Sequence, residues 1–316
     1  MAFSSDVLGQ ADGSEDGRDS TVFDVGYSDK VLYDVDVSDA LAATKVWVRI
    51  LLRRAGVDIE SGTTIYHDMP SVARALREKR LDLIVLLPTE YLELKELAAV
   101  EPIASAVLRG DLAHDYLLLV HKEGRPVELG DLRGKTLLVE TAGKGGLPWM
   151  WVETLLHGKG LPPARMFFAE IREVRKVSQG VLPVFFRQAD ACIVPLDAFK
   201  TMVELNPQLG EQLESLASSP PVCRGLVCAR MDLWETRFRE VLSESMLSLR
   251  TDPEGQQLLT LFHVDQLIRF DPAHLRGVID LLKAYEKVIA EQDGGKPNVA
   301  VGSKRPEARE KANRRD

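Results

Sequence analysis

Between a strand-like run ending at Glu140 and an apolar helix-like run stands Thr141-Ala142-Gly143-Lys144-Gly145-Gly146. Glycines at such a turn let the backbone approach a ligand closely, and the N–H groups that open the following helix favour an anion. The spacing matches neither a Walker A loop nor a dinucleotide fingerprint, so no nucleotide cofactor is implied. Other turns carry groups that suit the same chemistry. Ser38 and Thr89 stand at strand-to-helix turns, Ser28 ends the first strand, and Ser178 precedes a helix. For any one of Ser38, Thr89 and Thr141 an ordinary N-cap is the default reading; several hydroxyls converging on one cleft would grip an oxyanion. Tyr66 and Tyr91 follow strands and suit either a cleft wall or a half-buried framework position. Asp197 opens a helix, where it either caps the helix or pairs with a cationic group on a ligand.

Other chemistries find no support. Residues 34–39, DVDVSD, start like a calcium loop, but position 6 is Asp39 and not glycine, and position 12 is Lys45 and not glutamate. The six histidines form no metal-binding pair or cluster, and no nucleophile-elbow motif is present. No metal, cofactor or catalytic residue is expected. Cys192, Cys223 and Cys228 read as small buried residues, with a Cys223–Cys228 bridge left open.

Alternating elements position these groups. A strand over 22–29 is followed by a helix from Ser38 to Ala55, in which Thr44, Val48 and Leu51 keep helical spacing, Ser38 serves as N-cap and Gly56 as stop. Strands at 64–67 and 81–87 flank a helix opening at Pro70, and Pro88 opens another; strands at 101–109 and 115–121 follow. The order then repeats, with strands at 132–140, 164–171 and 189–194. Helices follow the 141–146 loop, span 178–186 and start at Pro195-Leu196-Asp197. Pro183 is compatible only with the start of its helix. A strand at 225–232 precedes helices at 234–249, at 253–263 with its continuation, and at 272–291. This alternation predicts an α/β fold of two lobes. Each has a mainly parallel sheet flanked by helices, and crossings near 113–121 and 222–230 leave a cleft between them.

With 316 residues, 45% of them hydrophobic, the chain is long enough for two modest cores. A net charge of −8 argues against a nucleic-acid partner, and it leaves any anion to be held by local groups against the overall field. The opening twenty residues have neither the basic nor the apolar region of a signal peptide. Residues 1–20 and the basic tail 293–316 have the composition of disordered ends.

Four strings carry a resemblance: DVDVSDALAATKVWV at 34–48, IYHDMPSVARALREKRLDLIVLLPTEYLEL at 65–94, VSQGVLPVFFRQADACIVPLDAFKTMVELNPQLGEQL at 177–213, and EGQQLLTLFHVDQLIRFDPAHL at 254–275. The chain resembles the phosphate, phosphite and phosphonate substrate-binding proteins of ABC transporters over roughly residues 21–290, a branch of the type 2 periplasmic-binding-protein fold. The resemblance implies lobe 1 at 21–115 and 226–292, and lobe 2 at 116–225. It implies a non-enzymatic monomer that closes about a hinge on a small oxyanion and delivers it to an ABC permease in the periplasm. The contacts would be Ser28, Ser38, Tyr66, Thr89 and Tyr91 from the first lobe and Thr141, Gly143, Ser178 and Asp197 from the second. The 141–146 loop is poorer in hydroxyls than such loops usually are in phosphonate binders. The absent export signal leaves a cytoplasmic role open, and a ligand sensor or an enzyme on the same fold are the alternative readings.

Overall fold

Along Val22–Ser28 the side chains of Phe23, Val25 and Tyr27 are buried on one face, as the two-residue period of a strand requires. The computed structural model describes residues 22–32, 35–54, 60–124, 128–141, 146–232 and 236–292. The ends expected to be disordered, and Gly143 with Lys144, lie outside these residues.

In chain order the first elements are β1 Val22–Ser28, α1 Val37–Arg54, β2 Glu60–Tyr66, α2 Met69–Arg77, β3 Leu83–Leu86, α3 Pro88–Leu94 and β4 Val100–Val107. A short β5, Ala113–His114, leads into β6 Tyr116–His121, β7 Thr136–Glu140, α4 Leu147–Gly158, α5 Ala164–Phe167 and β8 Glu170–Val174. Next come α6 Val177–Phe185, β9 Ala191–Pro195, α7 Leu196–Leu205, α8 Gln208–Gln212 and β10 Leu213–Ser218. The chain returns through β11 Val222–Cys223, β12 Leu226–Arg230, α9 Thr236–Leu247, α10 Pro253–Leu261, β13 Gln266–Arg269 and α11 Arg276–Gln292.

The strands form two sheets, one per lobe, in the orders β13-β4-β12-β3-β1-β2 and β10-β6-β9-β7-β8. The two-lobed α/β fold is therefore as expected, but the sheets are mixed instead of mainly parallel. β1, β2 and β3 run parallel in the first, and β7, β8 and β9 in the second. β12, β4, β13, β6 and β10 pair antiparallel. For β12 and β6 the cause is the crossing: each comes directly from the other lobe, without a covering helix, and enters its sheet against β3 and β9 respectively, while β13 reverses against β4 after α10. At the crossing itself β5 and β11 pair antiparallel as a two-stranded ribbon, His114 opposite Val222 and Ala113 opposite Cys223.

One face of the first sheet packs Phe23, Val25, Tyr27 and Leu83 against Ala40, Trp47, Val48, Leu51 and Leu52 of α1 and against α9 and α10. Tyr27 stacks on Phe262 with ring centroids 5.1 Å apart, and its hydroxyl lies 2.7 Å from Thr44 Oγ1 inside the core. The opposite face joins a larger apolar cluster that includes Leu147, Trp151 and Leu156 of α4, so this core runs through both lobes. α11 completes it: His157 of α4 and Glu291 of α11 pair at 2.7 Å.

Several local expectations change. Residues 164–171 form α5 and only then β8, because Ala164, Phe167 and Phe168 bury at helical spacing and not on alternate positions. The continuation after residue 263 is β13, a four-residue edge strand too short to carry a pattern. Asp36, not Ser38, caps α1: its carboxylate accepts from the Asp39 N–H at 3.1 Å. Pro183 sits inside α6. The helix ends two residues later, and the Pro183 carbonyl takes the N–H groups of Gln188 and Ala189 at 2.7 and 3.2 Å. The three cysteines are buried and free, and burial pushes the Cys223 thiol up to about 12.

Gly277, at the start of α11, lies against the crossing, where a β-carbon would run into the Pro221 carbonyl. Gly277→Ala is therefore expected to cost about 1–3 kcal/mol by overpacking, read as a fall in the urea midpoint. No change would mean that α11 can shift off the crossing freely.

Candidate ligand-binding cleft

The turn from β8 into α6 is built by Gln179. Its side-chain carbonyl accepts from the backbone N–H of Arg175 at 3.2 Å and of Lys176 at 3.1 Å, which fixes a basic pair directly ahead of the helix. Both side chains are exposed, and among the described residues neither has an ion-pair partner. The turn from β9 into α7 is tied to the crossing by the Leu196 N–H, which donates to the Asp115 carbonyl at 2.8 Å. Asp197, in the first turn of α7, meets Arg224 of the returning segment at 3.0 Å. Asp197 Oδ1 and Arg224 Nε are buried without a hydrogen-bond partner. Burial acts to raise the Asp197 pKa, but Arg224 and His114 outweigh it and hold the carboxyl below its ordinary range.

On the first lobe, Glu90 is 3% exposed and gathers the end of β1 and the start of α3. It accepts from Ser28 Oγ at 2.7 Å and from the Leu87 N–H at 2.9 Å, and it pairs with Lys30 Nζ at 3.0 Å. Lys30 is thereby held at the edge of the cleft.

These turns border one cavity of about 780 Å³. Lys30, Arg109, His114, Arg175, Lys176 and Arg224 line it, with Glu140 and Asp197 as its acids. The cleft is thus locally basic in a chain whose net charge is −8. The helix openings at Val177–Ser178 and Asp197–Ala198 also face it. Such an arrangement replaces the water around an oxyanion with N–H dipoles, hydroxyls and guanidinium groups.

Of the nine residues named from the sequence, Ser178 and Asp197 line the cavity. Ser28 is fully buried behind the wall, where its hydroxyl is used on Glu90. Ser38 is exposed on the first turn of α1, and Thr89 is half-buried in the first turn of α3. Tyr66 and Tyr91 pack half-buried against the core that runs through both lobes, on the face of the first sheet away from α1. Thr141 donates to Glu173 at 3.4 Å. The basic residues were missed. Arg175-Lys176 directly ahead of a helix is a usable local signal, whereas Arg224 is brought to Asp197 only by the crossing.

A family model described as ABC transporter, phosphonate, periplasmic substrate-binding protein matches residues 31–275. The chain belongs to this phosphonate-binding family. No curated protein is similar enough to count as a match. Among solved structures, an ATP-bound Xanthomonas citri protein superposes with a TM-score of 0.65 at 17% identity, covering 85% of this chain and 98% of that one. A binding component of a Pseudomonas aeruginosa ABC phosphonate transporter gives 0.57 at 14%, over 89% and 90%. PhnD1 of Prochlorococcus marinus in complex with methylphosphonate gives 0.57 at 15%, over 83% and 97%. At these identities the likeness shows the fold, and a phosphonate-binding family member is a two-lobed substrate-binding protein of this kind. Among the described residues no helix is long and apolar enough to cross a membrane, and no cluster of His, Cys, Asp or Glu is placed to hold a metal.

Proposed function

We propose that the chain captures an oxyanion of the phosphonate, phosphate or phosphite type between its lobes without altering it. It closes about the β5–β11 crossing and hands the ligand, as a monomer in the periplasm, to an ABC permease. One observation carries the reading: two helices of the second lobe, α6 and α7, open onto the same basic cavity, with Arg175-Lys176 ahead of one and Arg224 beside the other. Helix openings and cations together favour an anion more than either does alone. Closure follows if the ligand contacts both walls and so binds the closed form better.

A thermal-shift screen tests this with phosphate, phosphite, methylphosphonate, 2-aminoethylphosphonate, sulfate and small carboxylates. A ligand at 100 times its Kd adds about 2.7 kcal/mol of stability. Stabilisation confined to the phosphorus oxyanions is the expected result. A preference for the amine-bearing ligand would assign its ammonium to Asp197 Oδ1. Stabilisation by none of them would overturn the reading.

A further inference from the structure

A five-atom oxyanion does not need the space that this cleft encloses. Its volume of about 780 Å³ lies well inside the range of roughly 300–1000 Å³ typical of sites for drug-sized molecules. Its two walls also differ in kind. The charged groups come from the second lobe, the crossing and the rim of the first lobe. Behind that rim the cavity continues toward α1, α9 and α10, where the half-buried Val85, Phe262, Val264 and Leu267 line it over the buried Trp47 and Leu258. Ala106 of β4 borders the same space with only a methyl group. The one polar atom that Tyr27 would bring to this wall is turned onto Thr44.

We infer that the ligand is an amphipathic anion. Its phosphonate-like headgroup lies among Arg175, Lys176 and Arg224, and an alkyl or aryl group fills the apolar chamber in the first lobe. The inference rests on the proposed oxyanion site and adds the substrate class. An anion without an apolar part would leave the chamber to water that finds few polar partners there, whereas a chain or ring removes apolar wall from solvent.

Calorimetric titration of the full chain with methyl-, n-butyl- and n-octylphosphonate tests this, with the matching n-alkylsulfonates, n-octanol and n-octyltrimethylammonium as comparison arms. Full burial makes each added methylene worth about fourfold in affinity, so n-butylphosphonate is expected to bind roughly 50-fold more tightly than methylphosphonate. Val85→Phe fills the chamber and should flatten this dependence on chain length. Ala106→Leu does the same with a smaller intrusion, should the first variant fold poorly. Sulfonates that follow the phosphonate trend support the inference, with the headgroup recognised by charge alone. Methylphosphonate binding without a gain on lengthening overturns the apolar chamber and leaves the oxyanion site standing. Absence of binding by every anion overturns both. Octanol or the cationic amphiphile binding as tightly as n-octylphosphonate overturns the coupling of chamber to anion site.

Discussion

Replacing Asp82 with alanine is expected to destabilise the protein by about 3–5 kcal/mol, because it strands a buried guanidinium. The side chains of Asp82 and Arg230 are 4% and 8% exposed and meet at 2.9 Å. The other Asp82 oxygen accepts from the Asp24 N–H at 2.8 Å, so one carboxylate ties the start of β3 to β1 and β12. In its absence Arg230 keeps, among the described residues, Asp232, which is 56% exposed, and a pair as open as that contributes at most about 1 kcal/mol. Urea unfolding of Asp82→Ala, Arg230→Met and the double variant Asp82→Leu/Arg230→Met checks the mechanism. The double variant should recover most of the loss, since a buried ion pair and an apolar pair of similar size are often comparable in stability. A double variant no better than the singles would show that the carboxylate's bond to Asp24, and not the charge pair, sets the cost. Methylphosphonate affinity should be untouched, because this knot sits at the end of the strands away from the cleft.

Arg224→Met is the second large effect, this time on binding. It removes a cationic donor, worth about 1.5–3 kcal/mol to an anion, and it takes away the guanidinium partner of the Asp197 carboxylate beside the ligand. Together these predict a loss of affinity on the order of 100-fold or more. Adding Asp197→Asn to Arg224→Met should restore part of that loss, while Asp197→Asn alone should change affinity little or raise it. Titration of the four proteins with methylphosphonate gives the cycle. No recovery in the double variant would mean that Asp197 has no electrostatic influence on the anion and serves only to hold the start of α7.

The two cases also mark what the chain discloses before it is folded. Alternating apolar runs announced most strands and helices, because burying Phe23, Val25 and Tyr27 on one side of a strand leaves a period of two in the sequence. The spacing of Thr44, Val48 and Leu51 announced α1 in the same way. The sense of β12 and β6 was not legible, since a strand carries the same pattern whichever way it runs; the crossing decides it. At the site, Ser178 and Asp197 were legible as residues that open helices. Ser28 has the right position but is turned onto Glu90, a partner 62 residues away that no local pattern reveals. Arg224 and Asp197 are likewise distant in sequence, and only the return of the chain beside α7 joins them.

The order of strands in the first sheet has a consequence for synthesis. Every strand of the second sheet comes from residues 116–218, so that sheet can close as soon as this stretch has left the ribosome. β4 was made earlier, yet both of its neighbours, β12 and β13, come later. An eight-residue strand therefore waits with two open edges while the rest of the chain is translated. Pro102 is its third residue, opposite Cys228, where the pairing with β12 shifts register. In the finished sheet that irregularity absorbs the missing N–H. In the nascent chain the same proline interrupts the row of donors that another copy would need for edge-to-edge pairing, a gatekeeper for the interval before β12 arrives.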